Sequence, residues 1–216
     1  MKTPEIPIAK EGYPFCLFAA FVTLALAVLQ YDLLALVALV MTALVVNFFR
    51  DPERFVPQDE DTIVSPADGR VILVEPVHDE RFLKAQAYRV SIFMNVFNVH
   101  VNRVCFPGTV ADIQYSPGRF YNAGTDRGGL ENESCAVTLE TANGQRLTMV
   151  QIAGLLARRI VCWTEKGDML ARGQRFGMIR FGSRVDLYLP QRVQIEVRVG
   201  QKVRAGESII GYLPSA

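Results

Sequence analysis

From Phe15 to Phe49 the chain is almost wholly apolar, broken only at Gln30-Tyr31-Asp32 and by the isolated Thr23, Thr42 and Asn47. Nothing else in the sequence limits the fold as strongly. As one helix, these roughly 35 residues would extend about 50 Å, against a hydrocarbon core of ~30 Å. Asp32 would also be costly at mid-bilayer. Two shorter helices turning at Gln30-Tyr31-Asp32 fit better, either crossing as a hairpin or dipping in and returning. A signal peptide is a poor match, because the run starts late, is too long and lacks a small-residue cleavage pattern. Lys2 and Lys10 precede the run and Arg50 and Arg54 follow it, which agrees with both ends lying in the cytoplasm. The competing reading is a helical hairpin buried inside a soluble protein.

After Pro52, which stops the helix, the pattern changes to short apolar runs separated by Gly, Pro, Asn and Asp. Strands are expected at 62–65, 70–77, 87–94, 99–104, 109–115, 135–140, 146–152, 176–181, 185–189, 194–199 and 208–213. Residues 154–160 read equally as helix or strand. Many short strands with no βαβ rhythm predict a mainly β fold, a sandwich or barrel. The expected division is an N-terminal membrane-associated hairpin over 1–54 and a β-rich domain over 55–216. A weak internal echo, G-x-x-[LV]-x-x-G at Gly167–Gly173 and Gly200–Gly206, resembles the turn-strand unit of biotinyl and lipoyl carrier domains. It points to a barrel-sandwich hybrid, although neither copy presents a lysine at a carrier-type hairpin tip.

The formal charge of +1 gives no electrostatic case for nucleic acid. Cys16, Cys105, Cys135 and Cys162 are far apart in sequence and form no CxxC pair, so neither a zinc site nor a disulfide framework is expected. Reduced, mostly buried thiols in a cytosol-facing domain are the simplest account.

Four stretches could carry chemistry, and each has a plain alternative. Gly182-Ser183, between two alternating apolar runs, reads first as a tight turn. It also places a hydroxyl beside an uncrowded carbonyl, so that an N→O acyl shift, elimination and hydrolysis would cut the chain and leave a pyruvoyl group at Ser183. Asp68, in Ser65-Pro66-Ala67-Asp68-Gly69, is either a turn residue or an acid/base carboxylate beside a nucleophile. In the alternating stretch Phe97–Arg103, Asn98, His100 and Asn102 would share one strand face. The chain has two histidines. His78 reads as exposed loop, whereas His100 is the better proton-transfer candidate, or else a hydrogen-bonded structural histidine. Arg158-Arg159 in an apolar setting could pair with internal carboxylates or clamp a phosphate. The loop from Tyr121 to Gly129 with Glu131-Asn132-Glu133 reads as solvated and mobile, or as a lid.

Taken in order, the apolar pair, RDPERFVP, SPADGRV, IFMNVFNVHVNR, YSPGRFYNA, ENES, QIAGLLARRIV and RFGSRVDLYLP resemble the short form of the phosphatidylserine decarboxylase proenzyme family. The resemblance covers nearly everything from Phe48 onward. It implies a β-rich barrel-sandwich domain and self-cleavage between Gly182 and Ser183, giving a β chain of 1–182 and an α chain of 183–216 headed by pyruvate. It implies that this pyruvoyl takes the substrate serine amine as a Schiff base and acts as electron sink for loss of carbon dioxide, giving phosphatidylethanolamine, with no diffusible cofactor and no metal. The implied partners are phosphatidylserine in the inner cell membrane and the protein's own two chains, as a heterodimer or a higher oligomer.

Ser183 and Asp68 match the family's processing residues. Longer members carry H-x-x-H where this chain has His100 and Arg103, so either His100 serves both processing and decarboxylation or Arg103 takes an orienting role. His100 is expected to donate the proton to the decarboxylated carbon. Arg103, Asn98 and Asn102 remain substrate-binding candidates beside Arg158 and Arg159. Two other readings stay open: the same chemistry on an ether-lipid serine head group, and a non-catalytic membrane-anchored adaptor.

Overall fold

The computed structural model describes residues 7–155, 159–180 and 182–214, and only the backbone of Asp126. The chain divides into two compact units between Glu53 and Arg54.

The first unit is an apolar helical pair, α1 (Tyr13–Val28) and α2 (Asp32–Phe48). Pro14 sits in the first turn of α1, where a missing N–H costs nothing. The chain reverses through Gln30, whose φ is +61°, and Asp32 opens α2 instead of lying mid-helix. The Thr23 and Thr42 hydroxyls meet at 2.9 Å, and each also bonds a carbonyl four residues earlier in its own helix. No residue of α1 is buried, and Leu17 and Leu33 are 71% and 75% exposed. Core helices of a soluble protein would cover such side chains, so the pair presents an uncovered apolar surface suited to lipid. The segment Lys10–Val28 is long and apolar enough to cross a membrane by length and composition, whereas α2 is shorter.

The second unit is a curled β structure with strands β1 (Thr62–Val64), β2 (Gly69–Asp79), β3 (Ala85–Met94), β4 (Val101–Arg103), β5 (Gly108–Ser116), β6 (Ser134–Glu140), β7 (Arg146–Ile152), β8 (Ile160–Cys162), β9 (Met169–Leu170), β10 (Arg175–Ile179), β11 (Ser183–Pro190), β12 (Gln194–Ile195), β13 (Lys202–Val203) and β14 (Ile209–Tyr212). Eight of them form one sheet in the order β13-β2-β3-β11-β7-β6-β5-β9. Two three-stranded sheets, β1-β14-β12 and β4-β10-β8, complete the unit. Val90, Ile92, Leu139, Met149, Leu187 and Phe176 are among the fully buried residues of its core.

The internal echo has a structural meaning. Leu170 and Val203 lie in β9 and β13, the two outer strands of the large sheet, and both are buried. The flanking glycines Gly167, Gly173, Gly200 and Gly206 all have positive φ, the left-handed turn conformation that favours glycine. Of the ambiguous stretch 154–160, residues 156–158 lie outside the described residues, and Ile160 opens β8. The glycine-rich loop contains a short helix, α3 (Asp126–Glu131), capped by the Thr125 hydroxyl, which accepts from Gly128 N at 3.2 Å.

Candidate active site

Ser183 opens β11 directly opposite Met94, the last residue of β3. Phe93 is paired with Arg184 on one side and with Arg70 on the other. The start of β2, just after Asp68, and the start of β11 therefore flank the same end of β3. His100 lies just beyond that end, with its carbonyl accepting from Ile179 N, at the end of β10, at 3.4 Å. The topology thus brings the sequence positions of Ser183, Asp68 and His100 to one end of the large sheet.

The Gly182-Ser183 peptide is tightly framed. Gly182 has φ +59° with nothing within 4 Å of an added Cβ, so its glycine is required by conformation and not by space. The crowded partner is Gly154. A Cβ there would lie 1.8 Å from the Gly182 carbonyl oxygen, so only a glycine lets the chain after β7 approach that carbonyl. Sequence reading missed Gly154 because the stretch is read for its arginines. Continuing the β7–β11 register, in which Arg184 faces Ile152, would have set Gly154 opposite Gly182.

Ser183 is fully buried, and its hydroxyl donates to the Met94 Sδ at 3.4 Å. Asn102, also fully buried, approaches the same sulfur with Nδ2 at 3.7 Å. Gln151 Nε2 donates to Asn102 Oδ1 at 2.8 Å, while the buried Gln151 Oε1 has no hydrogen-bond partner among the described residues. Gly177 makes room for this amide, since a Cβ there would stand 2.8 Å from Nε2.

His100 is fully buried with Nδ1 2.9 Å from the Asn98 carbonyl. A carbonyl can only accept, so the neutral ring carries its proton on Nδ1 and Nε2 is the basic nitrogen. The shared strand face expected for Asn98, His100 and Asn102 is not formed. The strand begins only at Val101, because Asn98 closes a turn, its side chain accepting from Asn95 N at 2.8 Å.

Asp68 is held on three sides. Arg54 Nη2 donates to both carboxylate oxygens at 3.0 and 2.9 Å, and Ala205 N donates to Oδ1 at 2.8 Å. Arg103 is buried, bonds the Gly173 carbonyl at 3.0 Å and packs its Cδ on Gly206. It therefore ties the two copies of the glycine echo together.

Arg158 lies outside the described residues. Arg159 is exposed, and its carbonyl accepts from Arg180 N. The loop expected to be solvated is exposed at Asn122, Thr125, Arg127 and Glu131, with Asn132 as its buried anchor. Asn132 is buried and donates to the Tyr121 and Ala153 carbonyls at 2.8 and 2.7 Å. A hydrogen bond to Glu133 pushes the Tyr115 phenol up to about 12. A Cβ added at Gly129 would stand 3.0–3.3 Å from the Arg184 guanidinium, which is itself paired with Asp186 and donates to Ser91 at 2.8 Å.

The four cysteines are free thiols, Cys105 and Cys135 buried and Cys16 and Cys162 half-buried. Cys135 on β6 and Cys162 on β8 interact, which lowers the Cys162 thiol to about 7 and raises Cys135; the Cys162 thiol donates to the Thr164 carbonyl at 3.7 Å. Cys135 and Cys162 are distant in sequence but adjacent in the fold. Among the described residues, no cluster of His, Cys, Asp and Glu is placed to hold a metal.

A buried serine hydroxyl follows a backbone carbonyl that only a glycine can approach so closely, with the sequence positions of a histidine and a carboxylate at the same sheet end; a hydroxyl, a base and a carbonyl are the groups that nucleophilic cleavage uses. Comparison with known proteins gives the family. Residues 41–211 match the family model for phosphatidylserine decarboxylase. The chain is 51% identical over 213 residues to a phosphatidylserine decarboxylase proenzyme of Desulfotalea psychrophila, covering 99% of this chain and 100% of the relative. A protein of the same name from Geotalea uraniireducens is 51% identical over 214 residues, and one from Syntrophotalea carbinolica 47% over 213, each with 99% of this chain and 100% of the relative covered.

Proposed function

Because the chain belongs to the phosphatidylserine decarboxylase family and is an enzyme of that kind, we propose that it matures by cutting itself between Gly182 and Ser183 and then decarboxylates phosphatidylserine with the pyruvoyl group left at residue 183. The observation that carries the reading is the Gly154–Gly182 approach, together with the buried Ser183 hydroxyl. In maturation, Ser183 Oγ bonds to the Gly182 carbonyl carbon, the Gly182–Ser183 C–N bond breaks, and the hydroxyl proton ends on the new amine. Elimination of the ester across Cα–Cβ then leaves the oxygen with a Gly182 carboxylate. Water releases ammonia from the remaining residue.

The site fits the group so formed. A pyruvoyl lacks the serine oxygen, so the space bounded by Met94 holds it without enlargement. Once present, it supplies an electron-withdrawing carbonyl for an amine-bearing substrate. The chain's own residues do the rest. His100 Nε2, set as the basic nitrogen by the Asn98 carbonyl, moves protons, first in processing and then to the decarboxylated carbon. Asp68, fixed by Arg54 and the Ala205 amide, supplies a carboxylate of defined orientation for the processing step. Arg159, with Arg158, takes the lipid phosphate, while Asn98, Asn102 and Arg103, which bond in different directions, act on the substrate through the residues they hold. Buried apolar surroundings exclude water and disfavour the carboxylate relative to neutral carbon dioxide.

The apolar helix pair serves as the anchor to the inner membrane, with the β unit on the cytoplasmic side, and the cut β and α chains stay together as one folded unit. Intact mass of the full-length purified protein tests the reading. Two chains are expected, the smaller one starting at residue 183, lighter by the loss of nitrogen and blocked to Edman degradation. A single uncut chain that still releases carbon dioxide from phosphatidylserine would overturn it. Ether-lipid and diacyl forms of the serine head group, offered in parallel, identify the lipid class.

A further inference from the structure

We propose that Met94 is a positioning residue for self-cleavage: its thioether, steadied by the buried Asn102–Gln151 amide pair, holds the Ser183 hydroxyl for attack on Gly182. The inference rests on the proposed maturation and concerns its first step alone.

Ser183, Met94, Asn102 and Gln151 are contributed by β11, β3, β4 and β7, and the serine and both amides are 0% exposed. A buried polar chain of this kind disfavours folding unless its hydrogen bonds are satisfied, and Gln151 Oε1 has no partner among the described residues. An Ile or Leu at 151 and at 102 would fill the same space more cheaply. What the chain does provide is direction. Gln151 Nε2 fixes the Asn102 amide at 2.8 Å, Asn102 Nδ2 faces the Met94 sulfur at 3.7 Å, and the sulfur receives the Ser183 proton at 3.4 Å.

With the O–H aimed at sulfur, the lone pairs of Oγ point away from it and remain available to a carbonyl carbon. A thioether is a weak acceptor. It orients the proton without holding it, so a base can still remove it.

Sulfur also suits the later steps of maturation. The acyl shift forms the Oγ–C bond and breaks the C–N bond, and the subsequent elimination removes oxygen from residue 183 altogether. A carboxylate in the place of Met94 would then be left as a buried charge with only the neutral Asn102 amide facing it. A thioether is equally at home beside hydrocarbon.

The test is the rate at which full-length precursor is cut after synthesis, followed by intact mass with wild type in parallel. Met94→Leu conserves volume and removes only the acceptor. It should cut about tenfold more slowly, the equivalent of one lost hydrogen bond to the nucleophile. The uncut chain should survive hydroxylamine, because the block precedes the ester. Met94→Gln, of similar length and with an accepting oxygen, should recover most of the rate. Gln151→Met, acting three contacts from the serine, should slow the same step by several-fold if Met94→Leu proves too unstable to purify.

Cutting of Met94→Leu at the wild-type rate overturns the proposal. So does accumulation of a hydroxylamine-cleavable chain, and so does a Met94→Gln variant as slow as Met94→Leu at an unchanged melting temperature. If wild type itself stays uncut, the maturation reading fails instead.

Discussion

Gly154 and Gly182 face each other across the end of β7 and β11 so closely that a methyl on Gly154 would stand 1.8 Å from the Gly182 carbonyl oxygen. The two glycines are required for different reasons, and substitution separates them. Gly154→Ala cannot be accommodated without moving the scissile carbonyl, so the purified chain should remain uncut, or be cut at least about a hundredfold more slowly. Gly182→Ala meets open space and only a left-handed backbone, a strain of about 1–2 kcal/mol. It should mature slowly but reach completion. Intact mass over a time course reads both, and equal rates for the two variants would remove the distinction.

The Arg184–Asp186 pair is almost fully buried beside the cleavage site, with the Arg184 guanidinium also bonded to Ser91 and covered by Gly129 of α3. Removing one partner strands the other charge in the core. In the uncut Ser183→Ala background, Arg184→Met should lose about 3–5 kcal/mol, which is a fall in melting temperature of about 6–20 °C for a unit of this size. The double change Arg184→Met with Asp186→Leu should recover a large part of that loss. A single variant melting within a degree or two of its parent would show that the pair is not a buried charge pair in solution.

Cys162 is half-buried on β8 and interacts with Cys135, which draws its thiol down to about 7 despite the opposing effect of burial. Its thiolate therefore forms as pH rises through about 7, where an ordinary thiol near 8.5 is still mostly protonated. Alkylation of Cys162 by iodoacetamide, located by peptide mass, should rise with a midpoint near 7. Cys135→Ala removes that interaction and should move the midpoint upward. A wild-type midpoint at or above the ordinary value would contradict the arrangement.

Much of this was legible in the residues because local chemistry decided it. The helix pair follows from the length of the apolar run and from Asp32, and the strands follow from alternation bounded by turn residues. The glycine echo marked two turns around a buried Leu170 and Val203, but the strands these residues form were not among those expected, and their place at the two edges of the large sheet came only from the fold.

What stayed hidden depends on contacts distant in sequence. Gly154 matters only because β7 pairs with β11. Met94 reads as one more core residue until Ser183 is found opposite it. Cys135 and Cys162 look unrelated until β6 and β8 are packed together. Asn132 read as solvated because a polar run in a glycine-rich stretch gives no sign that its amide will bond two buried carbonyls.

Asp68 offers the sharpest division between holding the fold and doing chemistry. Its carboxylate takes two bonds from Arg54 and one from the Ala205 amide, so a purely architectural role would explain every contact it makes. Asp68→Asn keeps an oxygen for Ala205 N and gives up the charge facing Arg54. If Asp68 serves the processing step, this variant should fold with an unchanged far-ultraviolet spectrum, stay uncut and lack any pyruvoyl. Arg54→Met, which removes the ion pair but leaves the carboxylate, should then lose stability yet still mature. The opposite pattern, with Asp68→Asn cut at the wild-type rate while both variants melt lower, would assign the carboxylate to architecture and leave His100 as the only titratable side chain proposed for the cut.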